Sequence, residues 1–276
     1  MSLTPEEIAS FRENGFLKLN RPVLTLERTA ELRAALERVL AGQSAAKPES
    51  ITNFSGSVTE NVVIQIVNIW EAEPVFREHL YNETIVAAVA ELMNTDTVRV
   101  WHDQIQVKPP HIGGPTIWHQ DHPYWPVIQP ADLISAWVAL EDATIENGCM
   151  SMVRGSYRWG AYPGGTIGSD RETYGPAPQP GFIPDGETME VIPVEVPAGH
   201  VVFHHCLTWH GALPNRSPFN RPAIAVHYMP GHTRYAPQGG HLIEHHITVA
   251  PGEILTGDHF PTVREAGVGR RVSGIE

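Results

Sequence analysis

The residues of this chain best suited to do chemistry stand in the run Trp118-His119-Gln120-Asp121. Side chains alternate faces along a β-strand, so His119 and Asp121 are expected to point the same way, one pleat apart. An imidazole and a carboxylate placed like this can grip one cation from the same side. A third ligand from elsewhere would complete a two-histidine, one-carboxylate facial triad, which leaves three metal positions open. The chain holds 15 histidines, so the short match alone says little. A hydrogen-bonded histidine at a polar strand edge accounts for it equally.

A source for the third ligand lies downstream, in Phe203-His204-His205-Cys206-Leu207-Thr208-Trp209-His210-Gly211. His210 follows an apolar strand and precedes a glycine, a strand-end position facing the mouth of a barrel. His204 and His205 take opposite faces of their strand, so at most one shares a cavity with His210, in a supporting or core role. Arg221 starts the next strand. If the two strands pair as a hairpin, its guanidinium points into the same cavity, where a buried cation needs an anion. A bidentate carboxylate is the natural partner. A competing pattern, His241-Leu242-Ile243-Glu244-His245, fits H-x-x-E-H, an inverted zinc-protease motif that must lie on a helix. Gly239-Gly240 before it and Pro251 after it argue instead for a solvated polar loop. No H-E-x-x-H, P-loop or G-x-S-x-G motif occurs in the sequence.

The elements that must position these residues can be read from periodicity and turn signals. Thr4-Pro5-Glu6-Glu7 predicts a capped helix that stops at Gly15. Thr25 opens a second helix, with Leu32, Leu36, Val39 and Leu40 inward and Gly42 at its end. Residues 43–57 read as a loop, 62–70 as a buried strand, and 74–80 and 83–93 as short helices. From Thr97 strands dominate: 98–100, 105–107, the H-x-D segment, 133–140, 149–153, 191–196, 201–203 and 223–228, with a long Gly- and Pro-containing loop over 160–187. Helices followed by short strands predict a mainly β fold with flanking helices, a β-sandwich or jelly roll with the helices outside one sheet. One domain is expected, with a helical part to about residue 95, a core over about 97–230 and a C-terminal extension from 231 to 276.

Composition sets the outer bounds. With 276 residues, 42% of them apolar, the chain can fill a sizeable core. A net charge of -12 argues against nucleic acid, whose backbone needs a basic patch. Cys149 and Cys206 give no disulfide framework. Neither a secretory leader pattern nor a membrane-length apolar run is visible. The expectation is a cytoplasmic monomer or homodimer acting on a small molecule, with no nucleic-acid or membrane partner.

Taken together, Trp118-His119-Gln120-Asp121, Ala136-Trp137-Val138-Ala139-Leu140-Glu141-Asp142, Asn147-Gly148-Cys149-Met150 and His210-Gly211 with Arg221 resemble the phytanoyl-CoA dioxygenase family. The likeness covers roughly residues 98–229 and, more loosely, the N-terminal helices. It implies a double-stranded β-helix (jelly roll, cupin-like), with His119, Asp121 and His210 as Fe(II) ligands and Arg221 as the clamp on the far carboxylate of 2-oxoglutarate. It places Trp137 beside that co-substrate, with Lys108 as a further neighbour. Two positions depart from the family pattern. Ala212 stands where many members carry a Ser or Thr that helps the arginine, and Thr116 is a candidate replacement. Arg154-Gly155-Ser156-Tyr157 stands where many read P-G-S-H.

The implied reaction is oxidative decarboxylation of 2-oxoglutarate with O2, coupled to hydroxylation of a C–H bond. Desaturation and ring formation are alternative outcomes of the same site. Halogenation requires a small residue in place of the carboxylate ligand, and Asp121 is present. A non-catalytic metal-binding jelly-roll module is the reading from another class. The substrate is expected to be a small neutral or cationic metabolite rather than a coenzyme A thioester, because the loops at 43–57 and 122–130 are poor in Lys and Arg. Arg154, Arg158 and Arg171 are the nearest basic candidates. Tyr124 and Trp125 are the expected substrate wall.

Overall fold

The computed structural model describes residues 2–53, 62–162 and 183–265. The N-terminal part comprises α1 (Pro5–Asn14), β1 (Phe16–Lys18), α2 (Leu26–Leu40), β2 (Ser50–Asn53), β3 (Ile64–Val67), α3 (Pro74–His79) and α4 (Glu83–Met93). Then come β4 (Val98–Lys108), β5 (Thr116–His119), β6 (Ile128–Gln129), β7 (Ile134–Ala139) and β8 (Met150–Val153). The chain continues with β9 (Val191–Val194), β10 (Val201–His205), β11 (His210–Ala212), β12 (Arg221–Pro230), β13 (Arg234–Tyr235) and β14 (Thr262–Arg264).

Two sheets face each other. The larger has the order β1-β10-β7-β12-β4-β3-β2, with β14 also pairing β4, and the smaller has the order β5-β11-β8-β9. This is a double-stranded β-helix, open rather than closed into a barrel. Alternation along the strands sorts the faces. Ile105, Val107, Val138, Phe203, Ile224 and Val226 turn outward into one core with Leu32, Leu36, Ile85 and Val89 of the helices. Trp137, Ala139, Val202, Ala223 and Ala225 turn inward and meet Met150, Met152 and Val194 of the smaller sheet. The alanines at 223 and 225 leave space above the middle of the larger sheet.

Local signals account for the helices. The Thr4 side chain accepts from Glu7 N while Glu7 reaches back to the Thr4 backbone, completing the capping box. Gly15 follows in the left-handed region at φ 80°. A Cβ there would lie 2.6 Å from Tyr157 Cδ1 and 2.7 Å from Thr208 Oγ1, so only glycine fits. Thr208 donates to the Gly15 carbonyl at 2.8 Å, which ties the N-terminal helix to the turn just before His210.

Three expectations need correction. The 43–57 loop contains β2, whose pairing partner β3 comes from beyond the loop, and Ile51 stays half exposed, so local pattern gives no sign of a strand. The 62–70 strand ends at Val67, where Asn68 turns left-handed at φ 50° and starts a single 3-10 turn over Ile69–Glu71. The strands at 98–100 and 105–107 are one continuous β4, paired along most of its length with β12. Residues 54–57 of the first loop, residues 163–182 of the 160–187 loop, and Arg171 lie outside the described residues.

Candidate metal centre and anion pocket

His119 closes β5 and His210 opens β11, and the two residues are directly paired across the smaller sheet. Asp121 lies beyond the strand end, with helical backbone angles of φ −71° and ψ −47°. Strand alternation therefore does not explain its direction. The chain instead turns because Asp121 N and His122 N both donate to the Cys206 carbonyl, at 2.9 and 3.1 Å. The turn still delivers the carboxylate: Asp121 Oδ1 lies 3.6 Å from His119 Nε2 and 3.5 Å from His210 Nε2.

Backbone carbonyls fix which nitrogen of each ring is free. His119 Nδ1 donates to the Ile117 carbonyl at 2.7 Å, and His210 Nδ1 donates to that of Thr208 at 2.9 Å. Each Nε2 then carries a lone pair toward the carboxylate. Lone pairs facing a carboxylate oxygen repel unless a cation or proton stands between them, and metal-binding histidines are oriented by this kind of second bond. Burial holds both imidazoles below their ordinary pKa, with His119 adding repulsion at His210. They are neutral ligands at pH 7. Burial would raise the Asp121 carboxyl, but the surrounding imidazoles, with His204 in hydrogen-bond contact, hold it well below its ordinary value. Two neutral imidazoles and one carboxylate with open positions suit Fe(II).

The other carboxylate oxygen is also held. Ser135 Oγ donates to Asp121 Oδ2 at 2.9 Å, and His204 Nε2 lies 3.0 Å from the same atom. Since the Ser135 proton is used there, His227 Nδ1 must donate to Ser135 Oγ, at 2.7 Å. His204, Ser135 and His227 sit side by side on β10, β7 and β12, one row on the inner face. Sequence reasoning gave His204 a supporting role but missed Ser135 and His227. The strict alternation Gln104-Ile105-Gln106-Val107-Lys108 was a readable sign of a second polar inner row on β4.

Arg221 opens β12 in the larger sheet, whereas His210 belongs to the smaller one. The two strands are not a hairpin. Arg221 is 1% exposed, its guanidinium lies 5.4 Å from the Trp137 ring centre, and its Nε and Nη1 have no hydrogen-bond partner among the described residues. Burial alone lowers its pKa to about 10, so it stays charged. A buried guanidinium with idle donors is a site prepared for an anion such as a carboxylate. Thr116 pairs with Ala212 across the smaller sheet, and the Thr116 Oγ1 is buried and equally unpartnered. Lys108 faces Arg221 in register. Its ammonium donates to the carbonyls of Leu213 at 2.6 Å and Ala212 at 3.3 Å, which anchors the end of β11.

Of the expected substrate wall, Tyr124 is at the surface and meets the His119 ring edge-on at 5.8 Å. Trp125 is 4% exposed and packs against His102 and His227, in the core behind the imidazole row rather than at the rim. The H-x-x-E-H residues diverge. His241 packs on Trp101, Glu244 accepts from Tyr235 Oη, and His245 faces Glu49, so they form no protease site. Among the described residues no helix is long and apolar enough to cross a membrane.

Comparison with known proteins follows this geometry. The family model for phytanoyl-CoA dioxygenase (PhyH) matches residues 11–223. Rice phytanoyl-CoA dioxygenase 1 is 29% identical over 157 residues, 57% of this chain and 53% of that protein. The chain thus spans about half the length of the rice relative. Ectoine dioxygenase of Bordetella bronchiseptica is 24% identical over 273 residues, 95% of this chain and 85% of that protein. The crystal structure of SnoK, a non-heme alpha-ketoglutarate-dependent carbocyclase from nogalamycin biosynthesis, superposes with a TM-score of 0.78 at 29% identity, covering 94% of this chain and 96% of SnoK.

Proposed function

The chain belongs to the phytanoyl-CoA dioxygenase family of Fe(II)- and 2-oxoglutarate-dependent oxygenases, and from that premise we propose that it hydroxylates a small-molecule metabolite at a C–H bond. The observation that carries this reading is Arg221, a buried cation whose Nε and Nη1 have no partner among the described residues, on the face of β12 that also carries His227 beside the facial triad. The residues fit the cofactors the family uses. His119 Nε2, Asp121 Oδ1 and His210 Nε2 would hold the iron. Arg221 takes the far carboxylate of 2-oxoglutarate, with Thr116 Oγ1 as the hydroxyl donor that Ala212 lacks. Iron with 2-oxoglutarate and O2 supplies the oxidant for C–H cleavage.

The chain's own part is binding and orientation. Ser135 and His204 hold Asp121 Oδ2 so that Oδ1 faces the two imidazoles. Trp137 shields Arg221 from water and strengthens its attraction for a carboxylate. Lys108 acts on the pocket from behind, by fixing the backbone next to Ala212. Tyr124 borders the substrate space on the His119 side.

The substrate is read as neutral or cationic. Arg154 is paired with Glu190 at 3.5 Å, and Arg158 donates to the Glu13 carbonyl at 2.7 Å, so among the described residues these two candidate cations already have partners. A polyphosphate such as coenzyme A would need such groups unengaged. Oxygen uptake with Fe(II), 2-oxoglutarate and matched free metabolites and acyl thioesters tests this. Free metabolites should turn over, and a clear preference for thioesters would overturn the substrate reading. Ring closure is the second reading, favoured by the likeness to the SnoK carbocyclase. Mass analysis separates the two, since hydroxylation adds an oxygen atom and ring closure removes two hydrogens.

A further inference from the structure

A second group of imidazoles and carboxylates gathers away from the facial triad. Glu49 precedes β2, Glu71 ends the 3-10 turn after β3, His245 and His246 lie on the 3-10 turn Glu244–His246, and His259 precedes β14. Glu49 Oε2 lies 2.9 Å from His246 Nε2 and Glu49 Oε1 lies 3.6 Å from His245 Nε2, while Glu71 Oε1 lies 3.4 Å from His259 Nε2. Donor atoms around a tetrahedral Zn2+, with bonds of about 2.0–2.1 Å, stand about 3.3 Å apart. These three spacings bracket that value, and the 3.5 and 3.6 Å of the facial triad lie slightly above it.

A second, independent observation points the same way. His245 Nδ1 is held at 3.0 Å by the Leu242 carbonyl, which accepts its proton. Its Nε2 is then the ring nitrogen left to face the Glu49 carboxylate, the same arrangement as in His119 and His210. At 3.6 Å this nitrogen stands too far from the carboxylate for a hydrogen bond, a gap that an ion held by both groups would fill. The rings of His245 and His246 are tilted by 40°, and both Nε2 atoms face Glu49. Those of His246 and His259 are nearly parallel, at 12°, so His259 joins the same ion only after the two rings splay.

We propose that Glu49, His245 and His246 form a second divalent-cation site of nitrogen and oxygen donors, suited to Zn2+, with His259 and Glu71 beside it to complete the coordination. Its charge differs from that of the facial triad. Two carboxylates neutralise a divalent ion, so this site draws in no anionic co-substrate, and its place is structural. The ion clamps the C-terminal segment that carries His245, His246 and His259 onto the edge formed by Glu49 and Glu71.

Co(II) is a probe that reports on both sites, because tetrahedral nitrogen and oxygen ligation gives intense visible absorption and six-coordination gives weak absorption. The wild-type chain should take up two equivalents. Asp121→Ala should keep one, with the intense bands, and His246→Ala should keep one without them. Zn2+ should raise the Tm of Asp121→Ala, because it binds only the folded state, and Glu49→Gln in that background should abolish the rise. Glu49→Gln preserves shape and serves also if His246→Ala does not fold. A single equivalent in wild type, lost with Asp121→Ala, and no Zn2+-dependent change in Tm would overturn the proposal and leave the three histidines paired with glutamate by protons alone.

Discussion

The facial triad and the Glu49–His246 cluster are built from the same two side-chain types, yet they differ in what surrounds them. Asp121 and His210 have side chains 7% exposed and stand between two sheets, whereas His245 is 58% exposed on a short turn. The triad has one carboxylate for two imidazoles, so a divalent ion there keeps a positive charge. Arg221 adds another on the inner face of the larger sheet, and two such charges are what the proposed dianionic co-substrate needs. The outer cluster brings two carboxylates and has no buried cation of its own. The comparison teaches that ligand identity alone does not make a catalytic centre. Leftover charge, open positions and exclusion of water do.

Several substitutions separate the two regions, and the largest effect belongs to the triad. His119→Ala, Asp121→Ala or His210→Ala should each abolish Fe(II) binding at the inner site and turnover, while far-UV circular dichroism shows a folded chain. His246→Ala should leave turnover near wild type. Full activity in His210→Ala, or a transfer of iron binding to His204, would break the assignment. Next comes Arg221→Ala, which removes a charge-assisted bond of about 1.5–3 kcal/mol. The half-saturating 2-oxoglutarate concentration should rise roughly 10- to 150-fold. The KM of the primary substrate should change much less, and an unaltered 2-oxoglutarate dependence would put the co-substrate elsewhere.

Ser135→Ala tests whether the inner site depends on its supporting bonds. Loss of an outer partner of a metal ligand lowers metal affinity or activity by roughly 10- to 100-fold, and Fe(II) titration by competition with a chelator would read it. The smallest effect concerns a buried imidazole with no metal role. Both nitrogens of His79 lack partners among the described residues, and burial lowers its pKa to about 4. The unfolded chain protonates near 6.5 and the folded one does not until about 4. Stability therefore falls as pH drops through that window, by on the order of 1 kcal/mol per pH unit from this group. Urea unfolding of His79→Leu should show a shallower acid loss than wild type, and an identical pH slope would show that His79 does not contribute.

Much of the inner site was legible in the sequence because its signals are local. His119-Gln120-Asp121, a glycine after His210 and an arginine at a strand start are short patterns with chemical meaning. The routes by which they converge were not legible. Asp121 reaches the triad through a turn pinned by Cys206, and Arg221 enters from the sheet opposite His210. Both depend on sheet order, which no periodicity encodes. Ser135 and His227 meet across 92 residues, and Glu49 and His246 across 197, so nothing near either residue in the chain announces its partner. The spacing of strands and turns narrowed the class to a β-sandwich or jelly roll, and the family likeness chose between them, while β2 left no sign because an edge strand with one neighbour needs little hydrophobic pattern.

The central claim is that Fe(II) in the triad and the Arg221 pocket work together on 2-oxoglutarate. Succinate formed from 2-oxoglutarate under air, measured with and without Fe(II) for wild type, Asp121→Ala and Arg221→Ala, tests it most directly. Wild type should produce succinate only with Fe(II), Asp121→Ala should produce none, and Arg221→Ala should recover toward the wild-type rate as 2-oxoglutarate is raised. Succinate formation that persists without iron, or in Asp121→Ala, would contradict it.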